Sequence, residues 1–201
     1  MDEKLKTAAY RRPEYPVDPL FPERWSPRAM SGAHVDRGVL MTLFEAARWA
    51  PSSGNNQPWR FAYAVRSSES WPRFLDLLVP GNRVWCENAG ALIVMASKDT
   101  SDRDGKPSIT HSFDAGSAWM SLALQASMLG LVSHGMAGFD YGLAARTIQL
   151  PAGYSVEAMC AIGHPAPADT LPENLREREK PSGRKSVAEI AFEGAFPGGA
   201  G

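Results

Sequence analysis

The chain has 201 residues, of which 44% are hydrophobic, and this length is enough to bury the core of one domain. Its 21 Lys and Arg residues nearly balance its 22 Asp and Glu residues, and the formal net charge is −1. A balanced charge creates no field that would attract nucleic acid, so no nucleic-acid partner is predicted. No stretch is apolar enough to span a bilayer, so no membrane association is predicted either.

The few cysteines and the character of the N-terminus bear on the compartment. Cys86 and Cys160 are the only cysteines, and no CxxC pair occurs. Such usage is typical of a reducing compartment, and the charged N-terminus is not followed by the apolar segment of a secretory signal. We therefore expect a cytoplasmic protein whose cysteines serve as small apolar side chains. The four histidines lack metal-ligand spacing, so no metal site is predicted.

Residues 1–22 are rich in proline and charged side chains, which predicts an extended N-terminal arm. Arg24, Trp25, Ser26 and Arg28 follow directly. Two guanidinium groups four residues apart, with a hydroxyl between them, can converge on one anion because arginine offers paired planar donors. An ordinary basic surface turn is the alternative at this point.

The stretch from Ala46 to Phe61 joins an apolar-striped helix to a strand. Asp36 is predicted to cap this helix, and Pro51 to end it at Ala50. The loop that follows presents hydroxyl and carboxamide groups on Ser52, Ser53, Asn55, Asn56 and Gln57. These groups donate and accept hydrogen bonds without charge or a strong nucleophile, which suits a planar heterocycle better than acyl or phosphoryl transfer. A plain turn between helix and strand is the alternative.

Short elements are predicted downstream of this loop. Alternating side chains predict a strand at Phe61–Val65, and Ser68 is expected to cap a helix that Pro80 and Gly81 close. Asn82 is expected in the next loop. The continuous apolar run Ala89–Ala96 predicts a buried central strand.

The second half of the chain is dominated by one apolar helix, predicted at Phe113–Leu131. A helix that is apolar on nearly all sides and rich in small residues is buried, either in the domain centre or in a subunit interface. His134–Asp140 is predicted as a glycine-bearing turn that leads into another helix, and Met159–Pro165 as the last core strand. The sequence contains no GxSxG, P-loop or GxGxxG motif, so hydrolase, NTPase and Rossmann sites are not indicated.

The segment Pro51-Ser-Ser-Gly-Asn-Asn-Gln-Pro-Trp-Arg-Phe61 resembles the Pro-Ser-(Ser/Ala)-x-Asn-x-Gln-Pro-Trp-x-Phe signature of the nitroreductase family. Further similar features occur in the same order: Arg24-x-Ser-x-Arg28, the helix start Asp114–Ala118, Gly138-Phe-Asp, Gly163-x-Pro and Arg184. The resemblance implies an α+β nitroreductase-like fold, with a mainly antiparallel central sheet flanked by helices in an interlocked homodimer. It divides the chain into the arm at 1–22, an FMN-binding domain at 23–193 and a flexible tail at 194–201.

The resemblance also implies which residues would contact the cofactor. Arg24, Ser26 and Arg184 would hold the FMN phosphate, and Arg28 would lie nearer the ribityl chain and the pyrimidine edge of the ring. The backbone of Ala137 and Gly138 would lie near the flavin N5 atom. The full predicted set is Arg24, Trp25, Ser26, Arg28, Pro51, Ser52, Ser53, Asn55, Gln57, Asn82, Ala137, Gly138 and Arg184.

The reaction that the resemblance implies is a ping-pong reduction. NAD(P)H would reduce the bound FMN and leave, and an electron-poor small molecule such as a nitroaromatic or a quinone would then take the electrons. The cofactor supplies the chemistry, so no side-chain acid or base is expected. Two alternatives stay open: an oxygen-dependent, flavin-consuming enzyme of the same superfamily, and a non-catalytic flavin-binding or sensor protein.

Overall fold

A computed structural model describes residues 7–198, so residues 1–6 of the predicted arm and 199–201 of the predicted tail lie outside it. In chain order the helices and strands are α1 Leu20–Glu23, α2 Arg37–Arg48, β1 Trp59–Val65, α3 Trp71–Leu75, α4 Pro80–Cys86, β2 Ala91–Lys98, α5 His111–Met128, β3 Val132–Met136, α6 Tyr141–Thr147, β4 Tyr154–Gly163 and α7 Glu173–Arg176. None of the helices between residues 7 and 198 has the length and apolar character needed to cross a membrane.

The strands of the described region form one antiparallel sheet in the order β1-β2-β4-β3. β2 lies inside the sheet, and nearly all of its side chains are buried because helices cover both faces. A strand buried on both faces reads as a continuous apolar run, which is what Ala89–Ala96 predicted. The α+β class and the antiparallel sheet are therefore confirmed, with β2 starting and ending two residues later than expected.

Two hydrophobic cores lie on opposite faces of this sheet. Leu92 and Val94 face the core that α3, α4 and α6 cover. Ala91 and Ile93 face the other core, where the apolar stripe of α2 packs against α5. Each core also contains one of the two cysteines, both buried and unpaired, so their expected role as apolar side chains is confirmed.

The prediction for residues 68–85 was wrong in two respects. Ser68 does not cap α3; its hydroxyl donates to the Val65 carbonyl oxygen at 2.8 Å, and Ser70 occupies the N-cap position. Pro80 does not close a helix but opens α4, because its fixed φ suits the first helical position. Asn82 therefore lies on a helix rather than in a loop.

The boundaries of α5 and β3 also differ from the prediction. α5 ends at Met128, because Gly130 adopts a left-handed φ of 71° and the Leu131 N–H turns back to the Ala126 carbonyl at 2.9 Å. The predicted turn at His134–Asp140 is wrong for its first half, which belongs to β3. Pairing with β4, a contact far along the sequence, makes this short segment a strand.

The N-terminal arm is not extended throughout. Thr7–Ala9 forms a 3-10 turn with Thr7 buried, and α1 crosses the predicted boundary at residue 22. The Arg11 guanidinium donates to the Ser182 carbonyl oxygen at 2.9 Å, so the described part of the arm packs against the C-terminal segment.

Candidate functional site

A cleft of about 320 Å³, here called the basic cleft, lies where the arm, residues 24–28 and residues 178–184 meet. It is lined by Arg11, Arg24, Trp25, Ser26, Arg28, Arg178, Lys180, Ser182 and Arg184. The lining includes all three residues predicted at the FMN phosphate, Arg24, Ser26 and Arg184, together with the predicted site residues Trp25 and Arg28, although Arg184 is far from the others in sequence. Arg11, Arg178, Lys180 and Ser182 were not predicted.

The charges of the basic cleft repel one another. Burial lowers the pKa of Arg24, and the positive charge of Arg184 lowers this pKa further. Arg24 Nη1 donates to Ser26 Oγ at 3.2 Å, which leaves the Ser26 hydroxyl hydrogen for another acceptor. Crowded guanidinium groups with a hydroxyl donor beside them favour an anionic ligand.

Glu179 fixes residue 28 in this cleft and was missed by the sequence analysis. Its Oε1 accepts hydrogen bonds from the backbone N–H groups of Arg28, at 2.7 Å, and Ala29, at 2.8 Å. Its Oε2 is buried, has no hydrogen-bond partner among residues 7–198, and lies 3.9 Å from Arg28 Nη1. In the sequence, Glu179 is one charge in a run of charges, and nothing there distinguishes it from its exposed neighbours.

His134 connects the basic cleft to β3. Its Nδ1 donates to the Pro27 carbonyl oxygen at 3.0 Å, and its ring lies 4.7 Å from that of Trp85. Burial lowers the pKa of His134, which favours the neutral ring. The strand that holds this histidine leads directly to Ala137 and Gly138.

Asn82 and Gly138, two residues of the predicted site, lie in contact. The Asn82 amide donates to the Gly138 carbonyl oxygen at 3.0 Å, and the Val79 N–H donates to the same oxygen at 3.2 Å. A Cβ at position 138 would lie 2.5 Å from Asn82 Nδ2, so any other residue here would displace the Asn82 amide. Ala137, the preceding residue, is exposed.

The loop at residues 51–58, here called the carboxamide loop, has a strained backbone. Asn55 and Gln57 adopt left-handed φ angles of 56° and 46°. The Gln57 N–H donates to Ser52 Oγ at 3.0 Å, and the side chains of Asn55 and Gln57 are exposed. Left-handed non-glycine residues are uncommon and concentrate at functional sites, where the surrounding structure holds them.

Two polar side chains anchor the carboxamide loop. Asp114, buried in the first turn of α5, accepts from the Ser53 N–H and from Thr110 Oγ1, both at 3.2 Å. Asn56 donates to the Thr100 carbonyl oxygen and accepts from the Asp102 N–H. Asn56 is therefore an anchor of the loop, whereas the sequence had placed it in the same polar set as its neighbours. The supporting role of Asp114 was also missed.

A Ser–His–Glu cluster lies beside this loop but does not have the geometry of a nucleophilic site. Ser97 Oγ contacts His111 Nδ1 at 2.7 Å and donates to Glu157 Oε1, and the same His111 atom lies 3.3 Å from that carboxylate. Ser97 is completely buried, so no substrate can reach its hydroxyl. The cluster joins β2, β4 and the start of α5.

The structure does not bring the carboxamide loop and the basic cleft together within one chain. The carboxamide loop precedes β1, at one edge of the sheet. Residues 24–28 of the basic cleft contact β3, at the other edge, through Pro27 and His134. Three strand spacings of about 4.8 Å each separate these edges. The predicted set therefore forms two groups in the protomer, with Asn82, Ala137 and Gly138 on the β3 side.

Comparison with known proteins gives the family. The sequence profile described as the nitroreductase family matches residues 22–83. A solved oxidoreductase containing FMN is 49% identical, with a TM-score of 0.90 over 94% of this chain and 97% of that one. A provisionally named nitroreductase from Desulfovibrio desulfuricans, solved in complex with FMN, is 26% identical with a TM-score of 0.68 over 90% of this chain and all of that one.

The curated relatives agree with the solved structures. A Rhodopseudomonas palustris protein, provisionally named NADH dehydrogenase/NAD(P)H nitroreductase, is 30% identical over 82% of this chain and 92% of its own length. A Streptomyces coelicolor protein with the same provisional name is 29% identical over 79% of this chain and 89% of its own length. These relatives support a flavin oxidoreductase. The chain belongs to the nitroreductase family, as the motif at residues 51–61 predicted.

Proposed function

We propose that the protein is an FMN-dependent oxidoreductase that uses NAD(P)H to reduce nitroaromatic compounds, quinones or related electron-poor small molecules, and that it works as a homodimer. The observation that carries this proposal is the convergence of Arg24, Ser26, Arg28 and Arg184 in one basic cleft. A phosphate monoester would relieve the repulsion among these guanidinium groups and would accept the free Ser26 hydroxyl hydrogen. The FMN named in the relative of 49% identity adds support.

The path from the cleft to the turn after β3 also suits FMN. His134 links Pro27, within the cleft-lining residues 24–28, to β3, and the small residues Ala137 and Gly138 follow the end of β3. With no bulky side chain in this turn, a planar ring can approach the backbone closely. The bond from Asn82 to the Gly138 carbonyl fixes the turn in place before any ligand binds.

The chain's own residues have positioning and electrostatic roles in the proposed reaction. Bound FMN would supply hydride acceptance from NAD(P)H and electron transfer to the second substrate. Arg28, held by Glu179, would place a positive charge beside the pyrimidine edge and stabilise negative charge there. The carboxamide loop would hydrogen-bond the polar edges of the ring, and the backbone N–H of Ala137 would lie near N5.

The proposed homodimer would bring the two groups of site residues together. Because the carboxamide loop and the basic cleft lie at opposite edges of the sheet, a complete site would take the loop from one protomer and the cleft from its partner. Phe113 and Met128 on α5 and Trp49 at the end of α2 are 77%, 64% and 73% exposed. Large exposed apolar groups of this kind mark interfaces, and obligate interfaces commonly bury about 2,000 Å² or more.

The first experiment establishes the cofactor and the reaction. The purified protein should show a flavin spectrum, heat should release FMN, and stopped-flow mixing without oxygen should show its reduction by NADH or NADPH. Reduction by neither nicotinamide would favour the non-catalytic alternative, and loss of flavin under air without NAD(P)H oxidation would favour the flavin-consuming one. Arg24→Ala should weaken FMN binding by about 1.5–3 kcal/mol, the scale of a hydrogen bond to a charged group.

A second experiment tests the shared site by subunit complementation. Arg24→Ala disables the cleft, and Gln57→Gly removes a loop side chain while tolerating the left-handed backbone. If each site uses both protomers, a hybrid dimer has one site with both defects and one intact site. About half of randomly mixed dimers are hybrids, so co-expression restores about a quarter of the wild-type number of sites. If each chain supplied its whole site, no hybrid would contain an intact one, and no flavin binding would return.

A further inference from the structure

Arg11 of the N-terminal arm lies where three segments of the chain meet. Its Nε donates to the Ser182 carbonyl oxygen at 2.9 Å, and its Nη1 donates to the carbonyl oxygens of Pro22, at 2.9 Å, and Arg24, at 2.7 Å. None of these three bonds uses Nη2. Arg11 also lines the basic cleft, so one guanidinium both joins the segments and faces the space between them.

A second contact holds the arm to the C-terminal segment. Glu14 Oε2 accepts from the Val187 N–H at 3.0 Å. Val187 begins a 3-10 turn that Ser186 and Glu189 stabilise as a capping box. The cleft-lining part of the C-terminal segment, residues 178–184, is therefore held to residues 28–29 through Glu179 and to the arm through Ser182, and the Glu14–Val187 bond follows just beyond it.

The charges around Arg11 make this junction sensitive to an anion. Burial lowers the pKa of Arg11, and the positive charges of Arg184 and Arg24 lower it further. The cleft lining contains six Lys and Arg side chains, and Glu179, the carboxylate beside Arg28, is already bonded to backbone N–H groups. An anion in the cleft would offset this repulsion and stabilise the closed junction by mass action.

We propose that Arg11 is a positioning residue for the cofactor phosphate, and that phosphate binding orders the N-terminal arm and the C-terminal segment together as one wall of the cleft. The proposal rests on the proposed function only in taking FMN as the source of the phosphate group. The arm would thus be part of the cofactor site rather than a separate extension.

The test compares four proteins: wild type, Arg11→Met, Arg11→Lys and the control Arg12→Met. Arg12 is the neighbouring exposed arginine, so its replacement removes the same charge without the three bonds. FMN and riboflavin are the two ligands, because riboflavin lacks only the phosphate. Hydrogen exchange at the amides of Tyr10 and Ala191 reports on the arm and the C-terminal segment, since each donates within a short turn of its own segment.

Arg11→Met should raise the Kd for FMN by about 10-fold to 100-fold, the scale of one charged hydrogen-bond partner, and leave the Kd for riboflavin within about twofold. Arg12→Met should change neither, and Arg11→Lys should recover part of the FMN affinity. FMN should slow exchange at both amides in the wild type but not in Arg11→Met. Equal losses for FMN and riboflavin, or equal FMN affinity in the Arg11→Met and Arg12→Met variants, would overturn the proposal.

Inorganic phosphate separates this proposal from the proposed function. If the wild type binds no flavin but phosphate slows exchange at both amides in an Arg11-dependent way, the proposed function fails and the role of Arg11 in anion binding stands. If the wild type binds FMN and exchange at the two amides is unchanged, the proposed function stands and the coupling is refuted.

Discussion

Gly138→Ala is the substitution whose cost the structure specifies most closely. A Cβ at this position would lie 2.5 Å from Asn82 Nδ2 and 3.1 Å from Val79 Cγ2. The first distance cannot be accommodated, so the Asn82 amide has to rotate away from the turn. When it does, the Gly138 carbonyl oxygen loses the hydrogen bond that it now accepts at 3.0 Å.

The magnitude follows from these two contacts. Loss of the Asn82 bond costs about 1 kcal/mol, and the tight contact with Val79 adds about 1 kcal/mol, the low end for overpacking. Asn82→Ala alone removes only the bond and should cost about 1 kcal/mol. In the Asn82→Ala protein, the hydrogen bond to Gly138 and the clash with the Asn82 amide are both absent, so adding Gly138→Ala should cost only the contact with Val79. The double variant should therefore lose about 2 kcal/mol of unfolding free energy, rather than the about 3 kcal/mol that the two single losses would sum to.

Urea unfolding of the four flavin-free proteins, at one fixed protein concentration, measures this cycle. The fixed concentration matters because the apparent stability of the proposed homodimer would depend on it. Strictly additive losses would refute the reasoning, since they would mean that the added methyl group and the Asn82 amide do not compete for the same space.

Three further predictions concern residues around the site. Glu179→Gln should lower the free energy of unfolding by about 1–2 kcal/mol, because its two bonds to backbone N–H groups lose their charge assistance; urea unfolding measures this. Because burial lowers the pKa of His134, the unfolded chain takes up a proton first as the pH falls. Stability should therefore be level above about pH 7 and decline below about pH 6.5, and urea midpoints across pH should show a smaller decline in His134→Gln. Ala137→Ser should keep the rate of FMN reduction, measured by stopped flow, within a few-fold of wild type. Ala137→Pro, if it still loads FMN, should slow this rate about a hundredfold because the backbone N–H is lost. An unchanged rate in a loaded Ala137→Pro protein would exclude this amide from the chemistry.

The elements that the sequence predicted well are those whose own pattern determines their state. β2 is buried on both faces and therefore apolar throughout, and α2 has a continuous apolar stripe over Leu40, Leu43 and Ala47. The elements that it predicted poorly depend on distant partners. β3 is a strand because β4 pairs with it, and Pro80 is compatible with either the end or the start of a helix until Val79 is seen to be extended.

The candidate site divides in the same way. Arg24, Ser26 and Arg28 of the cleft and the polar side chains of the carboxamide loop occur at fixed offsets, so the motifs included them in the predicted site. Arg11, Glu179, Asp114 and His134 were missed or misread because each is a single polar side chain whose partner lies far along the chain. Only the fold shows which isolated charge or imidazole is buried against which backbone group.

The location of the basic cleft follows from the way the edge of the sheet is covered. β3 is an outer strand of the described sheet, and the segment that precedes α2 contacts it through the His134–Pro27 bond and pairs with the residues after β4 through the bridge between Met30 and Pro165. Arg24 has extended backbone angles, and in extended chain alternate residues point to the same side. Arg24, Ser26 and Arg28 line the basic cleft together with Trp25, while Pro27 is buried and its carbonyl oxygen accepts from His134. The Arg-x-Ser-x-Arg spacing thus lets one short segment meet two physical requirements: Pro27 contacts the edge of the sheet, and Arg24, Ser26 and Arg28 line the proposed anion site.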